Sequence, residues 1–282
     1  MQSERYPFNC PEEAGRVMAK LFPMYLSHYS SDSFPLSSCK GQRTSRCVVG
    51  TPLERKWPFQ YLPELLKAIH NCEGVTAPEK APGLPSDWGF AGFMKAATHK
   101  VADEVPFIKG QEFEGPLFNI LGNNIIIDSR PRIKGVQIFY LCHNHWSCMI
   151  RNHSSAFDPK QQENCNDYLL RSELLAVTSI FWCQMNEMVW LPEKDRYTAK
   201  PIYKEGFLTN PKATVVTFIC GKVRIVRATC DPSEKYPMLT FTLRAIYNLG
   251  KENYDKEVAF DVLKWILSPP EPAKELAMGG KE

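Results

Sequence analysis

Thr214-Val-Val-Thr-Phe-Ile-Cys-Gly-Lys-Val-Arg-Ile-Val-Arg227 is the stretch on which the fold turns. Its first part, 214–220, is crowded with β-branched and aromatic side chains. Its second part, 223–229, continues Val-Arg-Ile-Val-Arg-Ala-Thr. Such runs fit a pleated strand better than a helix. Gly221-Lys222 lies between them and signals a tight two-residue hairpin. The stretch therefore reads as two antiparallel strands. Arg224 alternates with Val223 and Ile225 and points away from them.

Working outward, a long helix over about 168–189 precedes this hairpin. It starts at Asn166 or Asp167 and is apolar on most sides, which predicts burial. Pro192 to Pro211 reads as a charged loop. A further strand, Leu239 to Tyr247, follows the hairpin. A closing helix runs from about Tyr254 to Leu267 and stops at Ser268-Pro269-Pro270. Upstream, Asn124 to Asp128 is a short β-branched run. Val136 to Cys142 and Trp146 to Arg151 form a second hairpin across His143-Asn144-His145. The first third is helical: Glu12 to Tyr29 interrupted by Pro23, Leu62 to Cys72 with Pro63 in its first turn, and Trp88 to Val105 capped by Asp87 and ended by Pro106. Strands cluster instead of alternating singly with helices. The expected class is α/β (α+β), a mixed sheet flanked by helices. The expected layout is a helical region over 1–110, a mixed-sheet core over 111–268 packed with it as one domain, and a disordered tail over 269–282. Within the first region, 30–58 is rich in Ser, Pro and Gly and reads as a long irregular segment, mobile or functional.

The 282 residues suffice for one large domain. Net charge is +3, so composition makes no electrostatic case for nucleic acid or an anionic membrane. No apolar run reaches the ~20 residues of a membrane span, and Met1-Gln-Ser-Glu-Arg-Tyr-Pro holds no secretory apolar stretch. The ten Cys are dispersed, several in apolar contexts. That pattern predicts free thiols in a reducing compartment, cytoplasmic or nuclear. Gly-rich phosphate loops, nucleophile elbows and zincin motifs are missing, and no cofactor is expected.

Three constellations could carry chemistry. Cys142-His143-Asn144-His145-Trp146-Ser147-Cys148 gathers thiols and imidazoles, the ligands zinc prefers. Cys142, His143, His145 and Cys148 are the candidate ligands, with Cys165 and His153 the nearest spares. The ordinary alternative is a hairpin tip with Cys facing the core. Secondly, His145-Trp146 opening a strand resembles the His-Trp of ubiquitin-like-protein cysteine proteases. That resemblance implies His145 as base and Asp158 as orienting acid. The family's later Gln and Asp-Cys-Gly are missing, and Cys183 and Cys220 sit mid-helix and in a strand, poor places for a nucleophile. Thirdly, Lys222, Arg224 and Arg227 could form a phosphate or nucleic-acid patch, or merely a solvated strand face.

The order helix (88–105), strands (124–128, 136–142, 146–151), helix (168–189), strand (214–220) resembles the core of PD-(D/E)XK nuclease-like domains. The resemblance implies Asp128 as a metal-binding carboxylate at a strand end, with Glu112, Glu114 or Asp158 as a second acid. The departure is that neither following strand carries Glu-x-Lys; the second reads Trp-Ser-Cys-Met-Ile-Arg. Asp128 would otherwise be satisfied by Arg130, Arg132 or a backbone N–H. From Arg171-Ser-Glu-Leu-Leu to Trp265 the chain is also similar to a group of uncharacterised filamentous-fungal proteins. The expectation is a non-catalytic intracellular protein that binds another protein on a degenerate nuclease-like fold. The alternative is an enzyme: a metal-dependent nuclease using Asp128, or a Cys/His hydrolase using His145.

Overall fold

The computed structural model describes residues 33–35, 45–49, 55–56, 62–76, 89–105, 108–110, 133–142, 144–152, 168–194, 196–201, 211–231, 238–269 and 271–272. In chain order the strands are β1 (Ser33–Pro35), β2 (Ser45–Val49), β3 (Arg55–Lys56), β4 (Lys109–Gly110), β5 (Ile133–Cys142), β6 (His145–Asn152), β7 (Tyr168–Leu170), β8 (Asn186–Leu191), β9 (Arg196–Pro201), β10 (Lys212–Ile219), β11 (Lys222–Asp231), β12 (Met238–Asn248) and β13 (Glu271–Pro272). The helices are α1 (Leu62–His70), α2 (Glu73–Thr76), α3 (Phe90–Glu104), α4 (Arg171–Met185) and α5 (Lys256–Leu267).

The β10–β11 hairpin forms as its sequence dictates. The strands are antiparallel and close at Ile219↔Lys222. Gly221 has φ 68°, a conformation that costs glycine little and other residues more. Around this hairpin grows a seven-stranded sheet, ordered β2–β12–β11–β10–β6–β5–β4. β10 lies parallel to β6 and β2 parallel to β12, while the other neighbours are antiparallel. The sheet is thus mixed and flanked by helices, an α/β fold.

Both faces of the sheet are covered. On one, α4 packs Leu174, Leu175, Ile180 and Phe181 against Cys148, Ile150, Val215, Val226 and Phe241. On the other, Phe90 and Met94 of α3, Leu65 and Ile69 of α1, and Phe260 and Leu263 of α5 cover Met149, Val216, Phe218, Val223 and Ile225. Each large apolar side chain fully buried in these layers contributes about 1.5–3 kcal/mol. All fifteen residues of α4 except Trp182 are buried, in keeping with a helix apolar on most sides. α5 is capped by the Asp255 carboxylate, which accepts from the Glu257 N–H at 2.8 Å. No helix among the described residues is long and apolar enough to cross a membrane. Cys72, Cys142, Cys148, Cys183, Cys220 and Cys230 are free thiols.

Several boundaries depart from the expectation. The helix expected over 168–189 occupies only 171–185, because 168–170 pairs with β1 and 186–191 pairs with β9. That second pairing also turns 196–201, expected within a loop, into a strand. Segment 30–58, read as irregular, contains β1, β2 and β3, each held by a partner remote in sequence. Glu271–Pro272, expected in a disordered tail, pairs with β3. α3 starts from Gly89, with no side-chain cap. The helix expected over 12–29 and the strand 124–128 lie outside the described residues.

Candidate functional site

Among the described residues, buried charged groups gather on this doubly covered sheet chiefly at two places. The first lies on the α4 face. Arg224 donates from Nε to Glu173 Oε1 at 2.8 Å and from Nη2 to Glu173 Oε2 at 3.3 Å and the Tyr168 carbonyl at 2.8 Å. Its guanidinium also lies 4.9 Å from the Tyr168 ring centroid. Glu173 Oε2 accepts from the Leu170 N–H at 2.8 Å, so the carboxylate caps the first turn of α4 as well. Nearby, Asn152 Nδ2 donates to Ser172 Oγ at 2.8 Å. Arg224 is 1% exposed and Glu173 0%. Arg224, Glu173, the Leu170 N–H and the Tyr168 carbonyl satisfy one another, so this is a structural clamp between α4, β7 and β11.

The second lies on the α5 face, at the end of the sheet where β10 begins. Strand register builds it in two rows. One row runs His145, Lys212, Thr229, Thr240 across β6, β10, β11 and β12. The next runs Ser147, Thr214, Arg227, Thr242. Side-chain alternation points all eight to the same face as Met149, Val216 and Val223. Every one is a hydroxyl or a base, where the next positions of β10 and β11 on that face, Val216, Phe218, Ile225 and Val223, are apolar. His145, Ser147, Thr214 and Arg227 are buried, and Lys212, Thr229, Thr240 and Thr242 are part-exposed. Ser147 Oγ donates to the Ile266 carbonyl, anchoring the last turn of α5 beside the rows. Arg244 joins them from a β-bulge. Leu243 pairs with Val226 and Ala245 with Ile225, so Arg244 is the extra residue of β12. Its Nε and Nη2 are buried without a hydrogen-bond partner. Burial, and then the charge of Arg227, lowers its pKa to about 10.

His145 Nε2 lies 2.9 Å from Thr214 Oγ1. Burial, and then Arg227 and Lys212, hold its pKa well below 6.5, so the ring is neutral. The sign of the linkage follows. An unfolded chain takes up the proton below pH 6.5 and the folded chain does not, so stability present above that pH is lost as pH falls below it. Between pH 7 and 5.5 the wild type is expected to lose about 1 kcal/mol more than a His145→Gln variant. Urea unfolding of both at each pH checks this; equal losses would show that His145 is protonated in the fold.

Among the described residues, the sequence-derived candidates do not converge. Cys148 is three residues from His145 and therefore on the opposite, α4 face. It is sealed there, and burial raises its pKa to about 12. Cys142 is exposed, with its thiol bonded to Asn144 Oδ1 at 3.0 Å. The metal reading of Cys142, His145 and Cys148 fails on this divergence, since zinc needs its ligands within ~2.3 Å of one point. His143 lies outside the described residues, among which no cluster of three or more ligand-type side chains could hold a metal. Cys183, also buried with a raised pKa, is no better placed to act as nucleophile. Asp128, Asp158, Glu112, Glu114, His153 and Cys165 likewise lie outside the described residues.

Lys222, Arg224 and Arg227 do not form one patch. Lys222 is part-exposed at the turn, Arg224 is buried under α4, and Arg227 is 6% exposed on the α5 face. The alternation that turns Arg224 away from Val223 and Ile225 delivers it into the second apolar layer rather than to water. Glu173, Thr214, Lys212 and Arg244 were not picked out from the sequence. Only the Arg-Ser-Glu-Leu pattern hinted at one of them. In comparison with known proteins, no family model, no curated protein and no solved structure matches this chain.

Proposed function

We propose that this chain is a non-catalytic intracellular protein that binds another protein, built on a degenerate nuclease-like α/β domain. The observation that carries the reading is the β5–β6 hairpin. It runs antiparallel, and the chain then crosses by way of α4 to place β10 parallel to β6. Yet from Ile133 to Asn152 the hairpin holds no carboxylate at all. Metal-dependent phosphodiester hydrolysis needs acidic oxygens to hold the ion against the scissile phosphate. This hairpin offers Ser147, Met149 and Arg151 on one face and Trp146, Cys148 and Ile150 on the other. Arg151 repels a divalent cation.

The test is incubation of pure protein with single- and double-stranded DNA and RNA in Mg²⁺ or Mn²⁺, beside Asp128→Ala. No cleavage by either protein is the expected result. Cleavage by the parent that disappears in the variant would overturn the non-catalytic reading.

A further inference from the structure

The two rows on the α5 face have a chemical character that the apolar core does not require. A sheet face buried under helices is stabilised by apolar side chains, and Val216, Phe218, Val223 and Ile225 supply them next door. Where the rows begin, the apolar series stops. Thr229, Thr240 and Thr242 replace it, interleaved with Lys212 and Arg227. Hydroxyls and guanidinium groups are hydrogen-bond donors that match the oxygens of an oxyanion, and arginine does so bidentately. No Asp or Glu belongs to either row.

Arg244 is the second, independent observation. The bulge makes it an extra residue two positions from Thr242, the register partner of Arg227, and its guanidinium feels the Arg227 charge. Bringing two like charges together in a part-buried place is unfavourable unless an anion sits between or beside them. Two donor atoms of Arg244 are buried and bonded to nothing in the protein. Buried donors ordinarily have partners, and the one missing here is an acceptor with negative charge. Lys212, Thr229, Thr240, Thr242 and Arg244 are all part-exposed, which places this cluster at the boundary between the core and solvent.

We propose that Lys212, Arg227, Arg244, Thr229, Thr240 and Thr242 form a binding site for a phosphate group, carried by free phosphate or by a phosphomonoester. Phosphate fits better than a carboxylate because its oxygens diverge and can meet donors from several strands at once. Chloride offers no such geometry. The site stands apart from the clamp at Glu173 and adds to the proposed role a ligand that the protein would hold.

Isothermal titration and thermal unfolding of the full chain at pH 7 test this. The arms are orthophosphate, phosphoserine and a nucleoside monophosphate, against chloride and acetate at equal ionic strength. The expected result is saturable heat and a saturable rise in Tm with a phosphate-bearing probe but not with chloride or acetate. Whichever phosphate probe binds most tightly identifies the source. In Arg244→Gln binding weakens about tenfold or more, the size expected for a lost charge-assisted bond, while the ligand-free Tm stays level or rises. Thr229→Val, which keeps every charge, weakens binding several-fold and serves as the second probe. Absence of saturable binding to any phosphate probe would overturn the proposal. So would undiminished binding in both variants, or a fall of the ligand-free Tm in Arg244→Gln, which would reveal an internal partner for that guanidinium.

Discussion

Glu173→Ala is expected to destabilise the protein by about 3–5 kcal/mol, because it leaves the Arg224 charge buried and uncompensated. The same change strips the Leu170 N–H of its acceptor at the start of α4. Against a typical total stability of about 5–15 kcal/mol, such a loss removes much of the fold's margin. Urea unfolding reads it directly. The double variant Glu173→Met, Arg224→Met should recover a large part of the loss, since replacing both charges removes the desolvation cost that either alone incurs. It will not recover all of it, because the Tyr168 carbonyl loses its donor as well. A loss under about 1 kcal/mol for Glu173→Ala would mean that another acid neutralises Arg224.

Phe181→Ala should have an effect of the same order, about 3–5 kcal/mol, from lost burial and the cavity left behind. Phe181 is 0% exposed on α4, in the layer that also holds Val215, Val226 and Phe241. α4 is enclosed nearly all round, so there is no free side from which neighbours can relax into the gap. Lys67→Ala on the exposed side of α1 is the control and should shift stability by no more than about 0.5 kcal/mol. Calorimetric unfolding of the three proteins would check the pair of expectations. A Phe181→Ala protein as stable as the control would place the ring outside the packed layer.

Much of the architecture was legible because its signals are local. Gly221 between two β-branched runs announces a hairpin, and a stretch over about 168–189 that is apolar on most sides announces a buried helix. The signals failed where a remote segment decides. Met188-Val189-Trp190 continue the apolar run of α4, yet pairing with β9 pulls them into a strand. Ser33–Pro35 and Ser45–Val49 carry no periodicity of their own; β7 and β12 make them strands. The site was less legible still. Alternation located Arg224 on its strand correctly, but only a sheet covered on both faces makes the opposite direction an interior one. His145 drew attention as a ligand or base, and its actual partner, Thr214, is 69 residues away. Arg244 could not be singled out at all, since a bulge is a property of register between strands and not of the residue.

β12 would end the main sheet were it not for β2. An uncovered strand of this length is a template for another copy of the chain. The strand that covers its Leu239–Leu243 part, Ser45–Val49, is far from it in sequence and pairs in parallel, so no short turn can guide it home. On the ribosome β2 is made long before its partner, and waits. When β12 finally emerges, the outer backbone groups of Leu239–Leu243 stay open until β2 returns. Such long-distance parallel closure is slow relative to local hairpins. The interval before it is complete is when this protein is most exposed to strand exchange and self-association, and high synthesis rates lengthen the queue of chains in that state.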